Sequence, residues 1–192
     1  RYTRDGSGDL LALPTAADGA FYWQWDGSDF VPAQVASWSE SLAVLLNLPA
    51  VGVDLPSARA YARWVAQRTE LPYRLPTEHE WEKAARGVDG RTYPWGDSFD
   101  PSFCKMRLSR PGPARPEPSG VFAGDVSVYG VHDLAGGVAE WTEPGASAGP
   151  YAVSRGGAWC DWAEDCQAAA RRLYGPTERS ERVGFRLARP AP

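Results

Sequence analysis

Residues 129–141 read YGVHDLAGGVAEW and are the most informative part of this sequence. Two segments of similar character follow, RGGAW at residues 155–159 and VGFR at residues 183–186. Paired glycines allow backbone conformations that a side chain would obstruct, and the neighbouring tryptophans offer large apolar surfaces. These segments predict a core built mostly from loops, and they indicate a fold more clearly than a reaction.

The composition predicts one globular domain over residues 1–192. The chain is 43% hydrophobic and 23% charged, which suits a soluble domain with a core of useful size. The formal charge is −4 and the basic residues are scattered, so nucleic acid is not expected as a partner. The longest apolar run, around residues 42–53, is interrupted by Asn47, Pro49 and Gly52, so no membrane span is expected.

The three cysteines, Cys104, Cys160 and Cys166, are an odd number at no zinc-finger spacing. This count argues against a disulfide scaffold and favours a reduced, cytoplasmic setting. The sequence opens on Arg1 rather than on methionine, so a fragment is expected, and a missing part could carry a targeting segment.

Two helices are predicted by their local signals. The first runs over residues 56–68 after Asp54 as its cap, with Tyr61 and Trp64 among the residues on its buried face. The second begins at Thr77, where threonine and a glutamate three residues later form a capping box, and it ends at Gly87.

The predicted strands are short. A hairpin is expected over residues 21–31 and a strand at 51–53, and later strand candidates lie at residues 138–141, 152–155, 166–171 and 184–187. Between residues 93 and 118 the chain is irregular and rich in proline. The pattern therefore predicts an α+β fold with two helices, a short antiparallel sheet and long irregular loops.

Five ordered motifs resemble the formylglycine-generating-enzyme, or sulfatase-modifying-factor, family. They are RLPTEHEWEKAARG at residues 74–87, YPWGD at 93–97, residues 129–141, RGGAW at 155–159 and GFR at 184–186. The resemblance covers residues 50–188, while residues 1–49 form a divergent N-terminal part. It implies a C-type-lectin-like fold of the formylglycine-generating-enzyme type.

Oxidases of this family are implied to bind copper through two cysteines that follow the Arg-Gly-Gly motif. Cys160 and Cys166 lie in that neighbourhood, but five residues separate them where the family has four, and Cys160 comes one position early. Two soft thiolates are the chemical minimum for Cu(I). We expect Cys166 to be a small core residue, and copper catalysis by this pair is kept as the alternative.

The resemblance also implies a structural calcium ion before Trp141. The matching positions are Asp133, Gly136, Val138 and Glu140. Hard oxygen donors in a tight turn suit Ca²⁺, whereas the alternative is an ion pair from Glu140 to Arg155 or Arg186. Only two histidines are present, His79 and His132, and a structural role is expected for each.

The segment from Cys160 to Arg182 mixes aromatic, acidic and basic residues of the types that anchor binding surfaces. The predicted contacts with a protein or small-molecule ligand are Trp159, Asp161, Trp162, Arg172, Tyr174, Glu178 and Arg182. The alternative is that this segment is an exposed loop that only keeps the protein in solution. The family resemblance extends to retroelement-diversified variable proteins and to accessory domains of bacterial serine/threonine kinases. The segment Phe103–Arg107 most resembles the kinase-associated domains.

We therefore predict a non-catalytic ligand- or protein-binding module. The alternative is a copper- and oxygen-dependent formylglycine-generating oxidase that acts on a protein cysteine.

Overall fold

The computed structural model describes residues 44 and 47–191, together with four short strands closer to the N-terminus. These strands are β1 (Tyr2–Arg4), β2 (Leu10–Ala12), β3 (Trp23–Trp25) and β4 (Phe30–Pro32). β1 pairs with β2 and β3 with β4, both antiparallel. The second pair confirms the predicted hairpin. The turn predicted between β3 and β4 lies outside the described residues, as does most of the part of the apolar run at residues 42–53 that precedes Asn47.

Helix α1 spans Leu55–Thr69, as its cap predicts. The carboxylate of Asp54 accepts the Ser57 amide at 2.8 Å, which satisfies one of the free amides at the helix start. The predicted buried face is wrong in part, because Tyr61 and Trp64 are 49% and 50% exposed. The face that packs inward carries Leu55, Ala58 and Ala62.

Helix α2 spans Glu78–Arg86, and its start confirms the predicted capping box. Thr77 Oγ1 accepts the Glu80 amide at 3.2 Å, and the Glu80 carboxylate accepts the Thr77 amide at 2.9 Å. The helix ends at Gly87, also as predicted. Neither α1 nor α2 is long and apolar enough to cross a membrane, and the same holds for any other helix in the described ranges.

Four strands form the sheet at the centre of the fold: β5 (Ala139–Thr142), β6 (Ala152–Arg155), β7 (Arg171–Tyr174) and β8 (Val183–Phe185). Their order across the sheet is β7-β6-β5-β8. β6 is antiparallel to both neighbours, whereas β8 runs parallel to β5. The predicted wholly antiparallel sheet is therefore wrong at one edge, because the chain crosses over after β7 and returns in the direction of β5.

Two other predicted strands differ from the structure. Residues 51–53 form no strand, since Gly52 adopts φ 76° and donates its amide to the carbonyl oxygen of Ser180. The strand predicted at residues 166–171 begins only at Arg171, because Ala163–Cys166 form a 3₁₀ turn.

Two tryptophans anchor the core on either side of β5. Trp141 is fully buried beside α1, and Trp81 of α2 is 1% exposed. The Trp141 indole donates to the Val53 carbonyl at 2.8 Å. Loops approach this core closely at Gly136, which has φ 73° and where any Cβ would collide with the Lys105 carbonyl oxygen. Gly136 is therefore required by packing as well as by conformation, whereas Gly137, with φ 69° and open space around it, is favoured by conformation alone.

Candidate binding surface

The C-terminal surface, defined here as residues 156–182, surrounds the exposed edge of the sheet at β7. Its first loop turns on Gly157, which has φ 72°, and a Cβ there would lie 3.0 Å from Cys166 Sγ. The backbone at this glycine therefore folds tightly onto the 3₁₀ turn. This close packing at Gly157 positions the side chains that follow, from Asp161 onward.

Asp161 is the buried centre of this surface, with 4% of its area exposed. Its Oδ2 accepts the Ala158 amide at 3.0 Å, and its Oδ1 accepts from the guanidinium of Arg182. Arg172 lies 3.6 Å from the same Oδ1 and also binds Asp165 at 3.0 Å. Two arginines thus compensate one buried carboxylate, which ties three segments of the surface together.

Trp162 stands beside this ion cluster and is 51% exposed. The guanidinium carbon of Arg107 lies 5.1 Å from the centroid of its ring. Arg107 is itself held in place, because its Nε donates to the Cys160 carbonyl and its amide donates to the Asp161 carbonyl, both at 3.0 Å. A large aromatic side chain is therefore presented to solvent in a fixed orientation.

The seven predicted contacts divide into accessible and buried residues. Trp162, Arg172, Glu178 and Arg182 reach the surface, while Trp159 and Asp161 are buried. Tyr174 is partly buried, and its ring packs edge-on against Trp141 at 5.2 Å. Truncation of Tyr174 would therefore remove a contact of the core as well as a predicted contact with a ligand.

A depression in this surface, beside Asp161, is very small. Its volume is about 20 Å³, and it is lined by Asp161, Asp165, Arg171 and Arg172 among others. That volume holds roughly one water molecule. The surface is thus shaped for a broad contact rather than for an enclosed small ligand.

The two cysteines of the alternative reading lie in different parts of the interior. Cys160 contacts the cluster of Val138, Ala158 and Trp159, whereas Cys166 is fully buried and hydrogen-bonds with Cys104. The Cys104 contact and burial raise the pKa of Cys166 far above its usual range, and burial raises the pKa of Cys160. A raised thiol pKa does not favour the thiolate form that binds copper.

Two of the four predicted calcium residues, Asp133 and Glu140, bind an arginine. The Glu140 carboxylate accepts from Arg186 Nη2 at 2.7 Å and from the Trp81 indole at 2.7 Å, and the Asp133 carbonyl also accepts from Arg186, at 2.6 Å. Among the described residues no cluster of three His, Cys, Asp or Glu side chains could hold a metal ion. The ion pair of Glu140 with Arg186, which is the alternative, is therefore present, and a calcium ion held largely by backbone carbonyls at these positions stays a prediction.

Sequence reasoning missed two residues, one that borders this surface and one within it. Arg107 comes from the long irregular region, and nothing local in the sequence links it to Trp162. Leu173 is 49% exposed in β7. Side chains alternate along a strand, so the inward ring of Tyr174 leaves Leu173 outward, and a correctly placed strand would have revealed it.

Residues 22–191 match the family described as "Sulfatase-modifying factor enzyme 1-like domain", so the match begins well before residue 50. The chain is 33% identical over 181 residues to "Inactive C-alpha-formylglycine-generating enzyme 2" of Bos taurus, covering 83% of this chain and 58% of that protein. It is 34% identical over 160 residues to "Serine/threonine-protein kinase Pkn1" of Chlamydia trachomatis, covering 73% of this chain and 24% of the kinase. The chain thus spans only part of both relatives.

A solved structure named "Treponema denticola variable protein 1" has the same fold, with a TM-score of 0.68 and 20% identity. The superposition covers 93% of this chain and 78% of that one. This likeness confirms the C-type-lectin-like α+β architecture. With its motifs, its fold and the match over residues 22–191 in agreement, the chain belongs to the sulfatase-modifying factor enzyme 1-like domain family.

Proposed function

We propose that this chain is a non-catalytic binding module that holds a protein partner on its C-terminal surface. The observation that carries the proposal is Trp162, which is half exposed and fixed by Arg107 above the ion cluster of Asp161. Tryptophan and arginine are enriched among the residues that dominate binding energy. A depression of only about 20 Å³ favours a protein partner over a small molecule.

The names of two relatives support a binding role, whereas a third, "Formylglycine-generating enzyme" of Mycobacterium tuberculosis at 34% identity over 155 residues, supports the oxidase alternative. One is named an inactive enzyme, and another is a kinase of which this chain matches 24%. We propose either an accessory domain of a bacterial serine/threonine kinase or a retroelement-diversified variable protein. A kinase domain upstream in the full-length gene would favour the first setting, whereas a near-identical non-coding repeat beside a reverse transcriptase would favour the second.

A selection from a random peptide library displayed on phage tests the proposal. Peptides enriched on the native protein are expected to bind Trp162→Ala at least about tenfold more weakly, the loss typical of an interface anchor. Trp64→Ala is the matched control, since Trp64 is 50% exposed and also lies under an arginine, Arg68, at 5.5 Å. Equal losses in both variants, or none in Trp162→Ala, would reject the C-terminal surface as the site.

A Cu(I) titration checks the oxidase alternative. The structure does not favour that alternative, because Cys160 and Cys166 pack against different core clusters and Cys166 hydrogen-bonds with Cys104. Stoichiometric Cu(I) uptake that disappears in Cys160→Ser would replace the binding-module proposal with the oxidase.

A further inference from the structure

Arg107, which borders the C-terminal surface, carries a charge that no carboxylate of the described residues compensates. The residue is exposed, and its Nε is occupied by the bond to the Cys160 carbonyl. Its two terminal amino groups, Nη1 and Nη2, donate to no acceptor among the described residues. A guanidinium binds a carboxylate through two parallel N–H groups, and the outer edge of Arg107 leaves such a pair open.

The arginines within the C-terminal surface itself are all engaged. Residues 156–182 contain four of them, and each forms an ion pair inside the chain. The pairs are Arg171 with Glu78, Arg172 with Asp165, Arg179 with Asp54 and Arg182 with Asp161. A paired guanidinium offers little charge to a partner, so an incoming anion is attracted most strongly to Arg107.

The turn that carries Arg107 is anchored in the core. Met106 is 1% exposed. The Ser109 amide donates to the Met106 carbonyl at 3.2 Å, and the Ser109 hydroxyl accepts the Met106 amide at 2.8 Å. The guanidinium is fixed in turn by the Cys160 carbonyl and by the ring of Trp162. A side chain held in this way loses little conformational entropy when a partner binds.

Apolar surface flanks this cation. Trp162 lies under the guanidinium and is 51% exposed, and Leu108 follows Arg107 directly and is 59% exposed. Apolar side chains of a partner that cover these two residues would exclude water from an ion pair at Arg107, which strengthens the pair. The arrangement therefore suits an anionic group that has an apolar neighbour.

We infer that the partner presents a glutamate or aspartate side chain to Arg107 and packs a neighbouring apolar side chain on Trp162 and Leu108. The inference rests on the proposed function, since it names the chemistry of the partner at the same surface. A phosphate group fits less well than a carboxylate. Glu164 is exposed two residues after Trp162 and forms no ion pair among the described residues, so it would repel the second charge of a phosphate.

Three libraries of short random peptides displayed on phage test the inference without any variant. They are identical except at the central residue, which is glutamate, glutamine or lysine. On the native protein the glutamate library is expected to be enriched at least about tenfold over the glutamine library, and the lysine library least of all.

Variants assign this preference to one side chain. Arg107→Gln is expected to abolish the difference between the glutamate and glutamine libraries, and Arg107→Glu is expected to favour the lysine library. Arg68→Gln is the matched control, because Arg68 is also exposed and lies 5.5 Å from the centroid of the Trp64 ring. It is expected to keep the preference of the native protein.

Calorimetric titration with one enriched glutamate peptide and its glutamine counterpart completes a double-mutant cycle with Arg107→Gln. Each single change is expected to weaken binding about tenfold, and the two together no further, because both remove the same ion pair. The cycle remains valid if the loss of the bond to the Cys160 carbonyl disturbs the turn, since that effect cancels.

Three results would overturn the inference: equal enrichment from the glutamate and glutamine libraries, additive losses in the cycle, or no enrichment from any library. The effect of Trp162→Ala separates this failure from that of the proposed function. Enriched peptides that show no preference for glutamate but bind Trp162→Ala more weakly would leave the proposed function in place. Peptides indifferent to both Arg107→Gln and Trp162→Ala would remove both.

Discussion

Two buried aspartates of this chain have opposite electrostatic surroundings. Asp161 is held between Arg172 and Arg182, whereas one oxygen of Asp125 has no donor within the described structure. Burial of a carboxylate favours its neutral form unless a cation or several donors compensate. The pKa of Asp125 is accordingly raised by burial from an ordinary 3.8 to about 7. The stability of the protein therefore depends on this proton.

The raised pKa of Asp125 predicts a pH dependence of a definite sign. Between about pH 4 and pH 7 the unfolded chain has lost the proton that the folded chain keeps, so the native protein loses stability as the pH rises through this window. The difference in the free energy of unfolding between the native protein and Asp125→Asn is expected to change by on the order of 4 kcal/mol across this window. Urea unfolding of both proteins across this range measures it. A difference that stays constant with pH would contradict the assignment.

The buried thiols predict unequal effects of substitution. Cys104 and Cys166 are fully buried side by side, whereas Cys160 is only partly buried. Cys166→Ser places a more polar group in the core and is expected to lower the free energy of unfolding by about 1–3 kcal/mol. Cys160→Ser is expected to change it by less than about 1 kcal/mol. Denaturant unfolding compares them, and the reverse order would show that Cys160 is the packed thiol.

The burial of Cys166 could be predicted, but its neighbour could not. Free cysteines are usually buried, and the position follows a glycine pair that brings the loop onto the core. Cys104 lies in the long irregular region, which carries no periodic pattern that would place it. The same limit applies to Arg107 and Trp162, since contacts between distant loops leave no local signal.

At the level of elements, helix starts were predictable because capping is local. Asp54 and Thr77 each bond to an amide three residues later, and this spacing can be read from the sequence. The partner of β8 was not predictable, because the direction of a strand depends on how the intervening chain returns. The predicted buried face of α1 was wrong at Tyr61 and Trp64 because small residues, Ala58 and Ala62, bring the helix close to the sheet.

Substitutions of Asp54 separate its two roles. The carboxylate caps α1 through the Ser57 amide and also binds Arg179 at 2.9 Å. Asp54→Asn is expected to keep the cap and lose the ion pair, while Asp54→Ala loses both and should be less stable by roughly a further 1 kcal/mol. Thermal unfolding of the two variants measures the gap. Equal stability would mean that the cap contributes nothing.

For the whole molecule, two arginines connect the layers of the fold. Arg186 joins Glu140 of the central strand to the carbonyl groups of His132 and Asp133, so one side chain connects the sheet to the glycine-rich loop. Arg155 binds Glu82 and thereby connects the sheet to α2. These two arginines cross-link the layers without an exchangeable ligand.

If Arg186 alone compensates Glu140, calcium is expected to leave the stability of the native protein unchanged. Millimolar Ca²⁺ should shift Tm by less than about 1 °C, because a ligand stabilises only the state that binds it. Arg186→Gln leaves Glu140 buried without its cation and is expected to lower stability by about 3–5 kcal/mol. Differential scanning calorimetry with Ca²⁺ and with a chelator tests both statements. A clear rise in Tm with Ca²⁺ would support the predicted calcium site.

The parallel pairing of β8 with β5 has a consequence for biosynthesis. The central strand β5 completes its hydrogen bonding only with Val183–Phe185, which follow it by about 40 residues in the chain. Until β8 has been synthesised, Trp141 and its apolar neighbours lack this part of their packing. A stop codon introduced after Arg182 would therefore be expected to yield an aggregating product that chaperones and proteases remove.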